Sequence, residues 1–206
     1  KYSWVKAPRL SDQPMEVGPL ARAVIGYAAG HEEIQSTVDF VLNELGVGAE
    51  VLFSTLGRTA ARCIETVLMV QKTPQWLDEL AANMAAGDLA VHAQELWEPE
   101  TWPTEAKGVG FHEAPRGGLA HWIHIKDQKI HNYQAVVPST WNAGPRDANG
   151  NMGPYEAALI GTPIADPEQP IEILRTIHSF DPCLACAVHV VDAEGRDVTQ
   201  VVVQPT

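Results

Sequence analysis

Apolar residues recur at helical spacing through most of the first half of the chain. Met15, Val17, Leu20, Ala21, Val24, Ile25 and Ala28 form one stripe, with Pro14 admissible in its first turn and Gly30 as its stop. Ile34, Val38, Val41, Leu42 and Leu45 form a second that ends at Gly46 and leaves Asp39 and Glu44 outside the apolar set. The longest stripe runs through Leu52, Leu56, Thr59, Ala60, Cys63, Ile64, Val67, Leu68 and Val70, and predicts a long, largely buried helix with Arg58 and Arg62 along one side. Pro74 allows a fresh start, and Trp76, Leu77, Leu80, Ala81 and Met84 predict a separate helix ahead of Gly87.

The period then changes. Glu98 to Lys107 holds Pro99 and Pro103 among acidic residues and predicts a surface linker. Trp122, Ile123 and Ile125 lead into the polar run Lys126-Asp127-Gln128-Lys129, followed by Ile130, Tyr133, Val136 and Val137, which is the signature of a β-hairpin. Residues 139–154 are crowded with Asn, Gly, Asp and Pro and predict a long loop. Ile171 to His178 suits a last short helix, after which Asp181-Pro182 redirects the chain. Lys1 to Pro14 reads as an extended strap. The predicted class is mainly α with a small β element, that is α+β.

With 206 residues, 45% hydrophobic and 19% charged, the chain suits one domain or a large piece of something bigger, and excludes a disordered tail or a collagen-like repeat. Fourteen Lys and Arg against 26 Asp and Glu give a formal charge of -12 with no basic run, which argues against binding nucleic-acid phosphates. The longest apolar runs fall well short of the roughly 20 residues of a membrane-spanning helix. The chain opens on Lys1-Tyr2-Ser3-Trp4 with no initiator Met and no signal-peptide pattern, so a cut fragment is expected.

Three cysteines make a disulfide framework a poor fit, and two of them lie close together in Asp181-Pro182-Cys183-Leu184-Ala185-Cys186-Ala187-Val188-His189. Two thiolates and an imidazole can converge there. Thiolates suit soft ions such as zinc, nickel or low-valent iron, and the spacing lets both sulfurs face one ion. By itself the pair also fits half of a structural zinc site or a thioredoxin-like redox pair. No second Cys pair completes a four-ligand zinc site, and Cys63 reads as a small buried side chain in the third helix. The α/β context of a redox pair is missing. His31, His92, His112, His121, His124 and His131 are expected to be exposed or hydrogen-bonded, and Trp4, Trp76, Trp97, Trp102, Trp122 and Trp141 to be packing anchors.

A set of further motifs runs along the chain in order: Lys6-Ala7-Pro8-Arg9, Pro14 to Arg22, Leu56 to Arg62, Glu113-Ala114-Pro115-Arg116-Gly117, Val137 to Asn142 and the terminal Cys motif. Together they resemble the large subunit of nickel-iron hydrogenases, over its C-terminal portion. The resemblance implies reversible cleavage of dihydrogen into protons and electrons at a nickel ion joined by thiolates to an iron carrying cyanide and carbonyl ligands. Cys183 then corresponds to the terminal nickel ligand and Cys186 to the thiolate bridging both metals. The family uses four thiolates; its other Cys-x-x-Cys pair has no equivalent here, so this chain alone does not build the site.

By the same resemblance Arg116 sits over the iron, donating to a cyanide and acting as base or electrostatic partner in splitting hydrogen, and Asp181 orients it. Pro138 and Ser139 correspond to residues lining the cyanide pocket. His178 corresponds to a residue near the thiolates. His189 and the backbone carbonyl of Ala135, with a Glu from outside this chain, correspond to ligands of a structural magnesium ion. The mature family chain ends at this His, so residues 1–189 are expected to be the functional portion and residues 190–206 a propeptide removed by a maturation endopeptidase. The β-prone valines of that tail also fit a terminal strand.

Implied partners are a small subunit holding iron-sulfur clusters, nickel-insertion factors and the endopeptidase. Membrane association, on the periplasmic side, would come only through the small subunit, with the precursor cytoplasmic. Two other readings remain open: a metal-binding scaffold without hydrogenase activity, served by Cys183, Cys186 and His189 alone, and a structural zinc module.

Overall fold

The computed structural model describes residues 7–183, 187–191 and 194–202 of the chain. Three helices make the core. Helix α1 spans Pro19–Ala28, α2 spans Glu32–Leu45 and α3 spans Thr55–Ala85. Leu20 and Ala23 of α1, Val38 and Leu42 of α2, and Ala61 and Ile64 of α3 close on one another, with Leu52 sealing the end. Each helix boundary has a local cause. Pro19 occupies the first turn of α1, where a missing N–H costs nothing. Glu32 and Glu33 complement the positive end of α2, and Gly46 in a left-handed conformation ends it. The Ser54 hydroxyl accepts the Gly57 N–H at 3.0 Å and caps α3.

The first helix therefore starts at Pro19 rather than near Met15. Residues 15–18 lie outside the helix, and the side chain of Asn142 pairs with the backbone of Val17. The predicted break at Pro74 is absent: α3 runs through it. Pro74 has no N–H for the carbonyl one turn earlier, but no glycine or second proline follows until Gly87, so propagation outweighs the single lost bond. Nor is α3 largely buried. Its buried residues are Gly57, Ala61 and Ile64, while Val70, Leu77, Leu80 and Met84 are exposed. Cys63 is exposed as well, against the expectation of a buried thiol.

After two short 3-10 turns the chain builds a three-stranded antiparallel meander: β1 Glu105–Ala114, β2 Gly117–Lys126 and β3 Lys129–Val136. The β2–β3 hairpin turns through Asp127 and Gln128, both with positive φ as a two-residue type I′ turn requires. Strand β1 takes up the last three residues of the predicted linker, Glu105 to Lys107, and extends beyond it. Gly108, Gly110 and its exposed residues give it no alternation to read, and pairing with β2 creates it.

Helix α4 (Pro138–Asn142) occupies the start of the predicted loop, followed by α5 (Pro154–Leu159) and α6 (Ile171–His178), the last with the bounds the pattern predicted. Strands β4 (Ala187–Val191) and β5 (Asp197–Val202) pair antiparallel with His189 opposite Gln200, so the β-prone tail does form a strand. Trp76, Trp97, Trp102 and Trp122 are 40–63% exposed and are not among the buried core residues described. No helix among them is long and apolar enough to cross a membrane.

Candidate functional site

Arg116 stands at the tip of the tight β1–β2 turn, because Ala114 and Gly117 are directly paired and only Pro115 and Arg116 lie between them. That turn is seated on the segment before α1. A side chain on Gly117 would meet Val17 Cγ2 at 2.5 Å, and one on Gly18 would meet the Arg116 carbonyl oxygen at 3.0 Å, so both glycines permit a backbone-to-backbone approach. Asn142, 1% exposed, locks the same segment from the other side. Its Oδ1 accepts the Val17 N–H at 3.0 Å and its Nδ2 donates to the Val17 carbonyl at 2.9 Å.

Between this turn, the start of α4 and the chain beyond α6 lies a cavity of about 430 Å³, lined by Pro115, Arg116, Pro138, Ser139, Thr140 and Cys183 among others. The Ser139 hydroxyl accepts the backbone N–H of Cys183 at 3.0 Å and ties the cysteine to α4. The Cys183 thiol is free and exposed. Arg116 Nη2 stands 3.5 Å from an Asp181 carboxylate oxygen, both side chains about two-fifths exposed, an orienting contact with little stabilising weight of its own. Arg116 Nε is buried without a hydrogen-bond partner among the described residues.

Asp181 adopts a left-handed backbone, φ 52°, that a residue other than Gly, Asn or Asp rarely takes. Its neighbours fix it there. Its N–H donates to the His178 carbonyl at 2.9 Å. Arg62 donates to the Ser179 carbonyl. Phe180, 4% exposed, lies under the Arg58 guanidinium and edge-on to Tyr155 at 4.9 Å. Arg58 is itself held by Glu16 through two bonds of 2.7 and 2.8 Å. Burial, reinforced by the Asp181 charge, pushes the Tyr155 hydroxyl up to about 12, and among the described residues that hydroxyl has no hydrogen-bond partner.

Arg116, Asp181, Pro138, Ser139 and Cys183 are thus brought to one place from three separate stretches of sequence. Cys186 lies outside the described residues. His189 is in β4, and Ala135 is exposed in β3 opposite His121, not among the residues lining the cavity. The His178 side chain is exposed. His121 hydrogen-bonds Tyr133, and His124 hydrogen-bonds Glu105 at 2.7 Å, as expected for structural histidines. Sequence reasoning assigned no role to Arg22, Phe180, Tyr155 or Asn142. Arg22 and Asn142 lie inside motifs that carry the family resemblance, which is the available signal; Phe180 and Tyr155 carry none.

Among the described residues no group of three or more His, Cys, Asp or Glu side chains is placed to hold a metal ion. What is present is one free thiol beside a guanidinium with an unpartnered, buried N–H and a hydroxyl. A soft anionic donor flanked by hydrogen-bond donors suits one corner of a thiolate-bound metal that carries anionic ligands, and it fits a nickel-iron group completed by thiolates from elsewhere.

Comparison with known proteins agrees with that chemistry. The family model described as nickel-dependent hydrogenase matches residues 1–189. The uptake hydrogenase large subunit of Bradyrhizobium diazoefficiens is 57% identical over 204 residues, covering 99% of this chain and 34% of that protein. The hydrogenase-1 large chain of Escherichia coli K12 is 51% identical over 204 residues, with the same coverage of 99% and 34%. The structure of the Ni-Fe-Se hydrogenase from D. vulgaris Hildenborough in the reduced state superposes with a TM-score of 0.67 at 38% identity, over 88% of this chain and 37% of that one. The chain spans about a third of the length of these relatives.

Proposed function

The chain belongs to the nickel-dependent hydrogenase family, and from that premise we propose that it is the C-terminal portion of an uptake-type large subunit that oxidises dihydrogen reversibly to protons and electrons. The observation that carries this reading is the convergence of Arg116, Ser139 and Cys183 on one cavity, with Asp181 beside the arginine. Cys183 and Cys186 would hold nickel, Cys186 also the iron with its cyanide and carbonyl ligands, and two more thiolates would come from outside this chain. Bound there, the bimetallic group supplies the Lewis acidity and redox capacity for heterolytic cleavage of hydrogen.

The residues of this chain divide the remaining work. Arg116 is a cation, because a guanidinium does not lose its proton in proteins. Its role is therefore to donate hydrogen bonds to anionic iron ligands and to stabilise charge, and the Cys183 thiolate is the proton acceptor, at Sγ. Pro138 and Ser139 wall the cavity, and the Ser139 hydroxyl, by accepting the Cys183 N–H, sets the direction of that thiolate. Asp181 holds the guanidinium over the cavity.

In the same reading His189 and the Ala135 carbonyl hold a structural magnesium, and residues 190–206 are a propeptide cut after His189. The end of the family match at residue 189 supports that boundary. A small subunit with iron-sulfur clusters takes the electrons and supplies any membrane or periplasmic association, and nickel-insertion factors and an endopeptidase act on the cytoplasmic precursor.

The test is anaerobic, hydrogen-dependent dye reduction by the full-length subunit in its complex, with nickel content measured alongside. Arg116→Lys is expected to retain nickel and lose about 10²-fold or more in turnover. Cys186→Ser is expected to abolish turnover. Normal turnover in either variant overturns the corresponding assignment, and metal binding without any turnover in the wild type favours the scaffold reading. Intact mass of the mature subunit should end at His189; an active enzyme that keeps Thr206 removes the propeptide.

A further inference from the structure

Arg22, on α1, uses every donor it has. A guanidinium offers five N–H groups in a fixed plane. Here Nε and Nη2 grip the Glu65 carboxylate at 2.5 and 2.7 Å, Nη1 donates to Glu113 at 2.7 Å, and the two remaining N–H groups reach the carbonyls of Ala114 at 2.9 Å and Pro115 at 2.8 Å. Those two carbonyls belong to the residues immediately before Arg116. The Arg22 guanidinium therefore joins α1, α3 and the strand end that carries the cavity's cation. Its side chain is 23% exposed, so these bonds are shielded enough to be directional.

The turn needs such a fastening. Pro115 has no N–H to pair, Gly117 sits at φ 127° with no side chain, and among the described residues Arg116 makes a 3.5 Å contact to Asp181 while its Nε goes without a partner. Within the turn itself little specifies where the Arg116 guanidinium stands. A fork that fixes two successive carbonyls fixes the planes of the two peptide groups leading into Arg116, and with them the direction in which its side chain leaves the backbone.

We infer that Arg22 is the positioning residue for Arg116, setting through the Ala114 and Pro115 carbonyls where the Arg116 guanidinium stands in the cavity. The inference rests on the function proposed for Arg116, but it has a readout that needs no metal. A purely structural Arg22 would work through charge, pairing with Glu65 and Glu113, and lysine would replace it. A positioning Arg22 works through the planar fork, which lysine cannot reproduce.

The experiment is Arg22→Lys in the full-length subunit, with Glu113→Gln as the milder second variant. Before nickel insertion, phenylglyoxal modification of Arg116 is followed by peptide mass spectrometry. After assembly in the complex, the cyanide stretching bands of the iron and the turnover per nickel are recorded. Arg22→Lys is expected to melt close to wild type, to raise the Arg116 modification rate several-fold, to shift the cyanide bands and to lower turnover per nickel by about 10- to 100-fold, as for a small misplacement of a reacting group. Glu113→Gln should move the same quantities less.

Wild-type modification rate, bands and turnover in Arg22→Lys would overturn the inference. So would losses in Arg22→Lys that vanish when the protein is assayed well below its melting temperature. Should Arg22→Lys fail to fold, an unchanged Arg116 modification rate in Glu113→Gln overturns it. If Arg116→Lys proves fully active while Arg22→Lys still loosens Arg116, the positioning stands and the function assigned to Arg116 falls.

Discussion

The guanidinium carbon of Arg58 lies 3.9 Å from the centre of the Phe180 ring. Phe180 immediately precedes Asp181, and Arg58 is on α3, so a cation from the helical core holds the aromatic residue from which the left-handed Asp181 and then Cys183 depart. This contact transmits the geometry of the core to the cavity.

Phe180→Ala should therefore be among the most damaging substitutions outside the cavity. Removing a buried phenyl group costs about 3–5 kcal/mol, and the lost cation–ring contact adds about 1 kcal/mol. Phe180→Leu should cost much less, since most of the volume remains. Thermal denaturation of the two variants measures the difference, and equal melting temperatures would contradict it.

Ser139→Ala removes the acceptor of the Cys183 N–H. A loss of about 1 kcal/mol in local stability is expected, seen as roughly fivefold faster hydrogen exchange at the Cys183 amide, with little change at α6. Ser139→Thr keeps a hydroxyl and should exchange at close to the wild-type rate.

Asn142→Asp gives a pH-dependent protein. A protonated carboxyl can accept from the Val17 N–H and donate to its carbonyl as the amide does, but the carboxylate is buried and faces that carbonyl without a proton. Burial raises the folded-state pKa above the unfolded value of about 3.9, so stability is present at low pH and falls as pH rises through that window. Melting temperature followed from pH 4 to pH 8 should drop in this variant and not in Asn142→Ala.

Tyr155 sets an alkaline limit. Its hydroxyl is pushed up to about 12 from an ordinary 10.0, so above pH 10 the unfolded chain loses this proton first and stability declines with pH until the folded value is reached. Tyr155→Phe should remove that part of the decline. Because the wild-type hydroxyl has no hydrogen-bond partner, the same variant should be no less stable at neutral pH, and a clear loss there would reveal a partner for it.

Local chemistry made much of this legible in the sequence. Helices α2 and α6 announce themselves through apolar stripes closed by Gly46 in one case and by the Asp181-Pro182 step in the other, and the β2–β3 hairpin through a polar turn between β-prone runs. The motifs containing Arg116, Ser139 and Cys183 could be picked out by resemblance, and the chain does bring these three residues to one cavity. For the helices and the hairpin, neighbouring residues carry enough information to specify the outcome.

What tertiary structure alone decided depends on partners distant in sequence. Strand β1 exists because β2 offers it a ladder, and residues 15–18 stay outside α1 while Asn142 pairs with Val17. The fastening of Arg116 by Arg22 and the seating of Phe180 under Arg58 are of the same kind. A guanidinium's donors are fixed by its chemistry, but which carbonyls and rings they meet is settled only when helices and strands far apart in the chain are packed together.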